Sequence, residues 1–265
     1  SFDVTTLCFD RKGAQTPLAQ REAYIDAMRE SGPVTVVGLP QDGNRLRALG
    51  DHLRSLLGRR VFTFYKHDSA EFEQALRRLL NEQTFDIVHV DSLDLSRFLP
   101  LLSGIPVICT HHNVESALLR DRALTESGAR RAYVLAQAAL QEGEEKRWCP
   151  RVAMNVTVSD DDRETIRSLS PDSRVETVPN GVDTELLVPD WSAHEQGIVF
   201  VGGLGWFPNR DALEMFCEDV LPAVRASMGD VPVTWVGRAP DTDISRYSRE
   251  YGVSLTGYVD DIRPF

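Results

Sequence analysis

The sequence predicts an α/β fold with parallel sheets in two successive domains. Short apolar runs rich in β-branched residues alternate with longer amphipathic stretches, which is typical of βα units in a parallel sheet. Some runs, such as residues 106–110 (PVICT), are almost entirely apolar, as expected for strands covered on both faces. Hydrophobic residues make up 42% of the 265 residues and charged residues 26%, which excludes disordered and low-complexity classes.

Ten strands are predicted from the apolar runs. They lie at residues 3–8, 33–39, 61–65, 86–91, 106–110, 153–159, 175–179, 197–202, 231–237 and 253–257. Helices are predicted between them, where apolar residues recur at the spacing of one helical face. They lie at residues 18–31, 43–57, 69–82, 93–102, 115–148, 161–169, 208–228 and 242–251. Ser159 and the acidic residues after it are expected to cap the helix at 161–169.

Residues 188–197 show no apolar period and contain Pro189 and Gly197, so we interpret this stretch as a linker. The predicted domains are therefore residues 1–190 and 191–265. The second contains three strands and two helices in about 75 residues, too few to cover both faces of a parallel sheet. Because the chain also opens without Met, directly at a strand, we expect a fragment of a longer protein.

The chain carries 29 Lys and Arg residues against 40 Asp and Glu residues, a formal net charge of −11 at pH 7. This acidity argues against a nucleic-acid partner, which requires a basic face. No run approaches the roughly 20 apolar residues of a membrane helix, and no signal-peptide pattern opens the chain. The four cysteines form no C-x-x-C pair, so neither a zinc site nor a disulfide framework is predicted. We expect a soluble, non-secreted protein.

Residues 110–116 (THHNVES) carry two imidazoles and a carboxylate between a predicted strand and a long helix. Ligands of open α/β sheets bind at the carboxyl ends of the strands, so this segment is a candidate functional site. Successive residues of a strand point to opposite sides, so only one of His111 and His112 is expected to face a cleft. The alternative is a structural role, with a hydrogen-bonded His and Asn113 as a helix cap.

A Gly-rich loop at residues 202–205 follows one predicted strand and precedes a helix, an arrangement that suits a phosphate group. The spacing is neither G-x-G-x-x-G nor a P-loop, so a plain βα turn is the alternative. Two later strands also end in glycine, at Gly237 and Gly257, and parallel strands would bring these ends to the edge that holds the loop. Arg238 would then balance a phosphate charge; a solvated surface role is its alternative.

In this order, the segments resemble the retaining GT-B glycosyltransferases of the family 4 class, also called group 1. The most specific parts are residues 178–183 (VPNGVD), 198–202 (IVFVG) with Pro208 and Asn209, and 257–264 (GYVDDIRP). The resemblance covers nearly the whole chain. It implies two Rossmann-like domains of GT-B type, of which the second is incomplete, and transfer of a sugar from a nucleotide-sugar donor with retention of configuration.

The resemblance also implies site residues. It makes His112 the catalytic residue that contacts the transferred sugar, although Asn113 stands where the family commonly has Asp. No acceptor-binding residue and no metal ligand is implied. The implied donor-binding residues are Gly202, Gly203, Gly205, Asn209, Arg238, Tyr258 and Val259.

The donor loop departs from the family pattern. Gly203 and Pro208 replace an Arg and a Lys that face the diphosphate in many members, so loop amides with Arg238 or Arg263 are expected to substitute. A first βα unit and a C-terminal Glu pair would lie outside the chain, which by itself is therefore expected to be inactive.

The implied partners are a nucleotide-sugar donor and a glycan or glycolipid acceptor, with no cofactor and no nucleic acid. By family association we expect a role in polysaccharide or glycolipid biosynthesis. The expected location is the cytoplasm, with peripheral contact to the inner face of the membrane.

Three alternatives stay open. A GT-B nucleotide-sugar epimerase would release nucleotide without a glycosylated product. A catalytically silent homologue would bind a sugar nucleotide or a partner protein without turnover. A ligand-binding protein with two similar lobes is a third alternative, which the lack of a secretion signal disfavours.

Overall fold

The computed structural model describes residues 2–10, 18–189, 197–239 and 245–265. The chain divides into two compact units, Ser1–Asn180 and Gly181–Phe265. Every strand pair in both units is parallel and every sheet carries helical crossovers, so the predicted α/β class is confirmed. The predicted boundary at residue 190 stays a prediction, because residues 190–196 lie outside the described ranges.

The first unit contains a two-stranded and a four-stranded parallel sheet. Its elements are β1 (Thr6–Asp10), α1 (Leu18–Arg29), β2 (Val34–Gly38), α2 (Arg45–Gly58), α3 (Phe62–Lys66), α4 (Ala70–Glu82), β3 (Val88–Val90), a 3-10 helix (Leu93–Leu102), β4 (Val107–His111), α5 (Glu115–Thr125), α6 (Gly128–Trp148), β5 (Met154–Thr157), α7 (Asp160–Leu169) and β6 (Val175–Thr177). Strand β1 pairs with β2, and the larger sheet has the order β3-β4-β5-β6.

The second unit has one three-stranded parallel sheet. Its elements are β7 (Ile198–Val201), α8 (Phe207–Met215), a π-helical segment (Phe216–Val220), α9 (Leu221–Met228), β8 (Val233–Val236), α10 (Ser245–Tyr251) and β9 (Val253–Leu255). The strand order is β7-β8-β9. The predicted start of the last helix, at residues 242–244, lies outside the described residues.

Each unit has its own apolar core. In the first, Val107 and Cys109 of β4 are buried with Ile166 of α7. In the second, Trp235 of β8 is buried with Leu213 of α8. These side chains remove apolar surface from water on the faces of the sheets, which holds the strand ends in place.

The strand predicted at residues 61–65 is wrong, because this segment forms helix α3. Its aromatic composition favours a strand locally, but tertiary contacts hold it as a helical turn. The Phe62 amide donates to Oε1 of Gln137 at 2.8 Å, and the Phe62 ring stacks on His52 with 3.9 Å between centroids. The Arg60 guanidinium lies 3.9 Å from the centroid of the Phe64 ring.

Three predicted helices differ in detail. The single helix at 115–148 is two helices, since the chain breaks before Gly128, whose φ of 55° is left-handed. The helix at 208–228 contains the π-helical segment, and residues 93–102 form a 3-10 helix. The capping prediction at Ser159 is confirmed, because its hydroxyl accepts from the Asp162 amide at 3.1 Å.

No helix in the described ranges has both the length and the apolar composition that a membrane crossing requires.

Candidate functional site

The polar candidate residues of the first unit follow the carboxyl ends of β3, β4 and β5. Because these strands are parallel neighbours, their ends meet at one edge of the sheet. Val90 is in register with Cys109, which places Asp91 beside the segment that contains His111 and His112. The edge therefore gathers side chains that are about 20 residues apart in sequence.

His111 is buried and structural. Its Nε2 lies 3.0 Å from Oδ1 of Asn155, whose Nδ2 donates to the carbonyls of Cys149 and Arg174 at 2.8 and 3.1 Å. The amide orientation makes Oδ1 an acceptor, so Nε2 of His111 carries the proton. Burial lowers the pKa of His111, and its imidazole is neutral at pH 7.

His112 points the other way, as strand alternation predicts. Its side chain is 53% exposed, and Nε2 lies 2.9 Å from Oδ1 of Asp91. A carboxylate accepts hydrogen bonds, so Nε2 donates to Asp91 and Nδ1 remains for another partner. Of the two histidines, His112 is the one presented at the sheet edge.

Glu115 is a titratable group that sequence reasoning singled out only as a carboxylate of the segment. Burial, together with the negative charges of Asp94 and Glu145, raises the pKa of Glu115 to about 7. A hydrogen bond with Asn113 and the nearby His112 act in the opposite direction. A carboxyl group that titrates near neutral pH is typical of functional sites. No residue pattern signals this shift, because it arises from burial.

The first turn of α5 and the residue before it are fixed by two acidic side chains. The buried carboxylate of Glu145 accepts hydrogen bonds from the Ser116 amide, at 3.0 Å, and from the Ser116 hydroxyl. Oδ1 of Asp162 accepts from the Val114 amide at 3.3 Å. The proposed cap at Asn113 is wrong: the N-cap of α5 is Val114, which makes no side-chain capping bond, because Glu145 serves the first turn instead.

In the second unit, every second backbone amide of the loop after β7 donates a hydrogen bond to the end of β8 or the residues that follow it. Gly202 N donates to Val236 O and Leu204 N donates to Arg238 O, both at 2.8 Å. Within the described ranges, the amides of Gly203 and Gly205 donate to no backbone carbonyl. Alternate amides therefore hold the loop while the others stay available to an anion.

Two of the predicted donor residues support the loop. Nδ2 of Asn209 donates to the Gly203 carbonyl at 2.9 Å, and a Cβ at Gly202 would lie 2.7 Å from that same Nδ2. A Cβ at Gly205 would meet nothing within 4 Å. Gly202 and Asn209 are thus tied to the packing of the loop, whereas Gly205 is open.

The end of β8 lies against the loop. A Cβ at Gly237 would lie 2.2 Å from the Gly202 carbonyl oxygen, so no other residue fits there without a shift of the backbone. Gly237 N also donates to Gly257 O at 3.0 Å, which joins the ends of β8 and β9. The predicted meeting of three glycine-terminated strands at one edge is present.

Arg238 is the cation nearest in sequence to this edge. Its guanidinium lies over the Tyr258 ring, 5.1 Å from the centroid, and Val259 follows Tyr258 as a half-buried residue. Arg263 is engaged elsewhere, because its Nε and Nη2 each lie 2.8 Å from a carboxylate oxygen of Asp261. Because Arg263 is paired with Asp261, Arg238 is the better candidate of the two arginines to balance a phosphate charge.

Metal ligation has no support within the described residues, where no three His, Cys, Asp or Glu side chains converge on one point.

Residues 25–186, more than half of the chain, match the sequence profile of Glycosyltransferase Family 4. Among solved structures, UGT73P12 of Glycyrrhiza uralensis, complexed with glycyrrhetinic acid 3-O-monoglucuronide, has 12% identity and a TM-score of 0.45 over 96% of this chain. The chain spans 62% of that structure. The trehalose-6-phosphate synthase OtsA has 12% identity and a TM-score of 0.43, covering 98% of this chain and 75% of its own. No curated protein matches. The profile match over residues 25–186 shows that the chain belongs to Glycosyltransferase Family 4.

Proposed function

We propose that the protein transfers a sugar from a nucleotide-sugar donor to a glycan or lipid-linked acceptor, with retention of anomeric configuration. Family membership supports glycosyl transfer in general. The observation that carries the proposal is the group formed by His112, Asp91 and Glu115 at the carboxyl edge of β3 and β4. It combines an exposed imidazole with a carboxyl group that titrates near pH 7.

In this proposal His112 contacts the transferred sugar. Asp91 holds Nε2 of the imidazole, so Nδ1 is free to accept a hydrogen bond from a sugar hydroxyl. Glu115 exchanges a proton with a hydroxyl close to His112, because its raised pKa leaves both protonation states populated at neutral pH. The bonds of Glu145 and Asp162 to the segment support its fixed geometry.

The donor diphosphate is proposed to bind the loop of the second unit. The amides of Gly203 and Gly205 and the cation of Arg238 would stabilise the charge that develops on the leaving diphosphate. Asn209 and Gly202 also hold the loop in place, and both stay predicted donor contacts. Tyr258 and Val259 are proposed as donor contacts, and Tyr258 also packs under Arg238.

The test is incubation of the complete protein that contains this chain with UDP-, GDP- and ADP-sugars and glycan or glycolipid acceptors, followed by mass spectrometry and NMR of the anomeric centre. We expect a glycosylated product with the anomeric configuration of the donor. His112→Ala should abolish the product, whereas His89→Ala should not, because His89 lies within β3 and bonds to Thr110 Oγ1 at 2.7 Å. Free nucleotide without a glycosylated product would favour an epimerase, and binding without turnover a silent homologue.

A further inference from the structure

Trp206 is an exposed tryptophan next to the loop that is proposed to bind the donor diphosphate. It directly follows Gly205, whose amide donates to no backbone carbonyl within the described ranges. Trp206 is 51% exposed, whereas Trp235 in the core of the same unit is 3% exposed. A single exposed apolar side chain is common on protein surfaces, so its meaning depends on what surrounds it.

The backbone around Trp206 explains why its side chain stays at the surface. Two residues earlier, Leu204 is 0% exposed in the core of the second unit, and its amide donates to the Arg238 carbonyl at 2.8 Å. The Trp206 amide donates to the Gly203 carbonyl at 3.3 Å, and the Trp206 carbonyl accepts from the Arg210 amide at 3.4 Å. The loop and the start of α8 therefore fix this residue on both sides, next to the amides that are available to an anion.

The indole N–H of Trp206 is also available. Within the part of the chain that the structure describes, its Nε1 donates to no other group, and no aromatic ring or guanidinium packs on its face. By contrast, Trp235 Nε1 donates to the Gly202 carbonyl at 2.7 Å, and Trp148 Nε1 donates to Oε2 of Glu144 at 3.2 Å. Trp206 thus presents an apolar face and an unused hydrogen-bond donor side by side.

An apolar face with a donor at its edge matches the chemistry of a sugar. A pyranose ring carries C–H groups that pack on an aromatic face, and its hydroxyl oxygens accept hydrogen bonds. The sugar of a nucleotide-sugar is bonded directly to the diphosphate, so a donor held by the loop amides brings its sugar close to Trp206. A flat nucleobase would use the indole face alone, and the ribose separates it from the diphosphate.

We propose that Trp206 binds a sugar ring through its indole face and its Nε1–H. The proposal rests on the proposed glycosyl transfer and adds a sugar-binding residue to the loop that holds the diphosphate. The sugar belongs either to the donor or to the acceptor, and separate measurements distinguish these two sources.

The test uses the complete protein that contains this chain, with the variants Trp206→Ala and Trp206→Phe. Calorimetric titration compares UDP-glucose with UDP, GDP-mannose with GDP and ADP-glucose with ADP, and transfer assays give the acceptor KM. We expect Trp206→Ala to lose about tenfold in affinity for the nucleotide-sugar, or to raise the acceptor KM about tenfold, with unchanged affinity for the nucleoside diphosphate. Trp206→Phe keeps an aromatic face and should lose less. Met215→Ala, at a residue that is also 51% exposed at the other end of α8, is the matched control and should behave as the parent does.

A loss confined to the nucleotide-sugar assigns Trp206 to the donor sugar, and a raised acceptor KM assigns it to the acceptor sugar. Unchanged values for both, or an equal loss for the nucleotide-sugar and the nucleoside diphosphate, would overturn the proposal. Sugar transfer that is the same in the parent and in Trp206→Ala would overturn this inference alone. A parent that binds no nucleotide-sugar and transfers no sugar would contradict the proposed function as well. Circular dichroism and urea unfolding establish that the variants stay folded, which the exposure of Trp206 predicts.

Discussion

His112 Nε2 lies 2.9 Å from Asp91 Oδ1, a contact that joins the end of β4 to the end of β3. Both side chains are more than half exposed, at 53% and 69%. Exposed polar pairs contribute about 0–1 kcal/mol to folding, so loss of this contact should cost little stability. The contact orients the imidazole of His112 at the edge where α/β sheets bind ligands.

Asp91→Asn should therefore reduce sugar transfer without destabilising the protein. We expect a loss of about tenfold or more in kcat, because the orientation and charge around His112 change, with the free energy of unfolding within about 0.5 kcal/mol of the parent. Steady-state kinetics and urea unfolding of the complete protein that contains this chain check this. Asp26→Asn, which removes the exposed ion pair of Asp26 with Arg29, is the control and should leave both quantities unchanged. Equal kinetics for the Asp91 and Asp26 variants would contradict the assignment.

Glu115 makes folding stability depend on pH. Its pKa is about 7 in the folded chain and near 4.5 in the unfolded chain, so between these values the folded state binds more protons. Stability contributed by this group is present below pH 4.5 and is lost as pH rises to about 7. Glu115→Gln should thus be more stable than the parent at pH 8 by about 1–2 kcal/mol, and similar at pH 4.5.

Urea unfolding at both pH values measures the effect of Glu115→Gln. Glu164→Gln, at a surface residue paired with Arg163 and Arg167, is the control and should show no gain at pH 8. A Glu115 variant that is equally or less stable than the parent at pH 8 would show that the carboxyl is not perturbed in this way.

Glu145→Ala should destabilise the first unit. The change leaves the buried amide and hydroxyl of Ser116 without their acceptor, which costs about 2–4 kcal/mol. Glu142→Ala on the same helix removes only exposed pairs with Arg120 and Lys146 and should cost less than about 1 kcal/mol. Chemical denaturation measures both. Similar losses for the two variants would mean that Glu145 does not hold the start of α5.

Gly237→Ala should destabilise the second unit, since the added Cβ would lie 2.2 Å from the Gly202 carbonyl oxygen. We expect a cost of about 2 kcal/mol or more. Gly205→Ala is the matched control, because its Cβ would meet nothing within 4 Å, and its cost should stay within about 1 kcal/mol. Urea unfolding followed by circular dichroism measures both costs. Tolerance of Gly237→Ala would show that the strand ends are not packed this closely.

Each of the nine strands in the described residues has a counterpart among the predicted strands, because period and composition reflect burial on the two faces of a sheet. It failed at residues 61–65, where an aromatic run is held as helix α3 by the side chain of Gln137, 75 residues away from Phe62. The composition of a short segment carries no information about a contact with a residue so far away in the sequence. The break before Gly128 was similarly hidden inside an otherwise continuous helical period.

Those parts of the candidate site that depend on where strands end could be predicted from the sequence. Those that depend on contacts between side chains from distant segments could not. The positions of His112 and of the glycines followed from the carboxyl edges of parallel strands. The bond to Asp91, the pKa of Glu115 and the pairing of Arg263 with Asp261 depend on side-chain contacts and burial. These arise only when distant segments pack together.

The central claim, a nucleotide-sugar site that uses the loop of the second unit, is tested most directly by calorimetric titration of the complete protein that contains this chain with UDP-, GDP- and ADP-sugars. We predict saturable binding of one nucleotide class, weakened about tenfold or more by Arg238→Ala. Arg263→Ala should leave affinity unchanged, because Arg263 is paired with Asp261. Absence of binding to every nucleotide-sugar, or equal affinity in the parent and the Arg238 variant, would contradict the account.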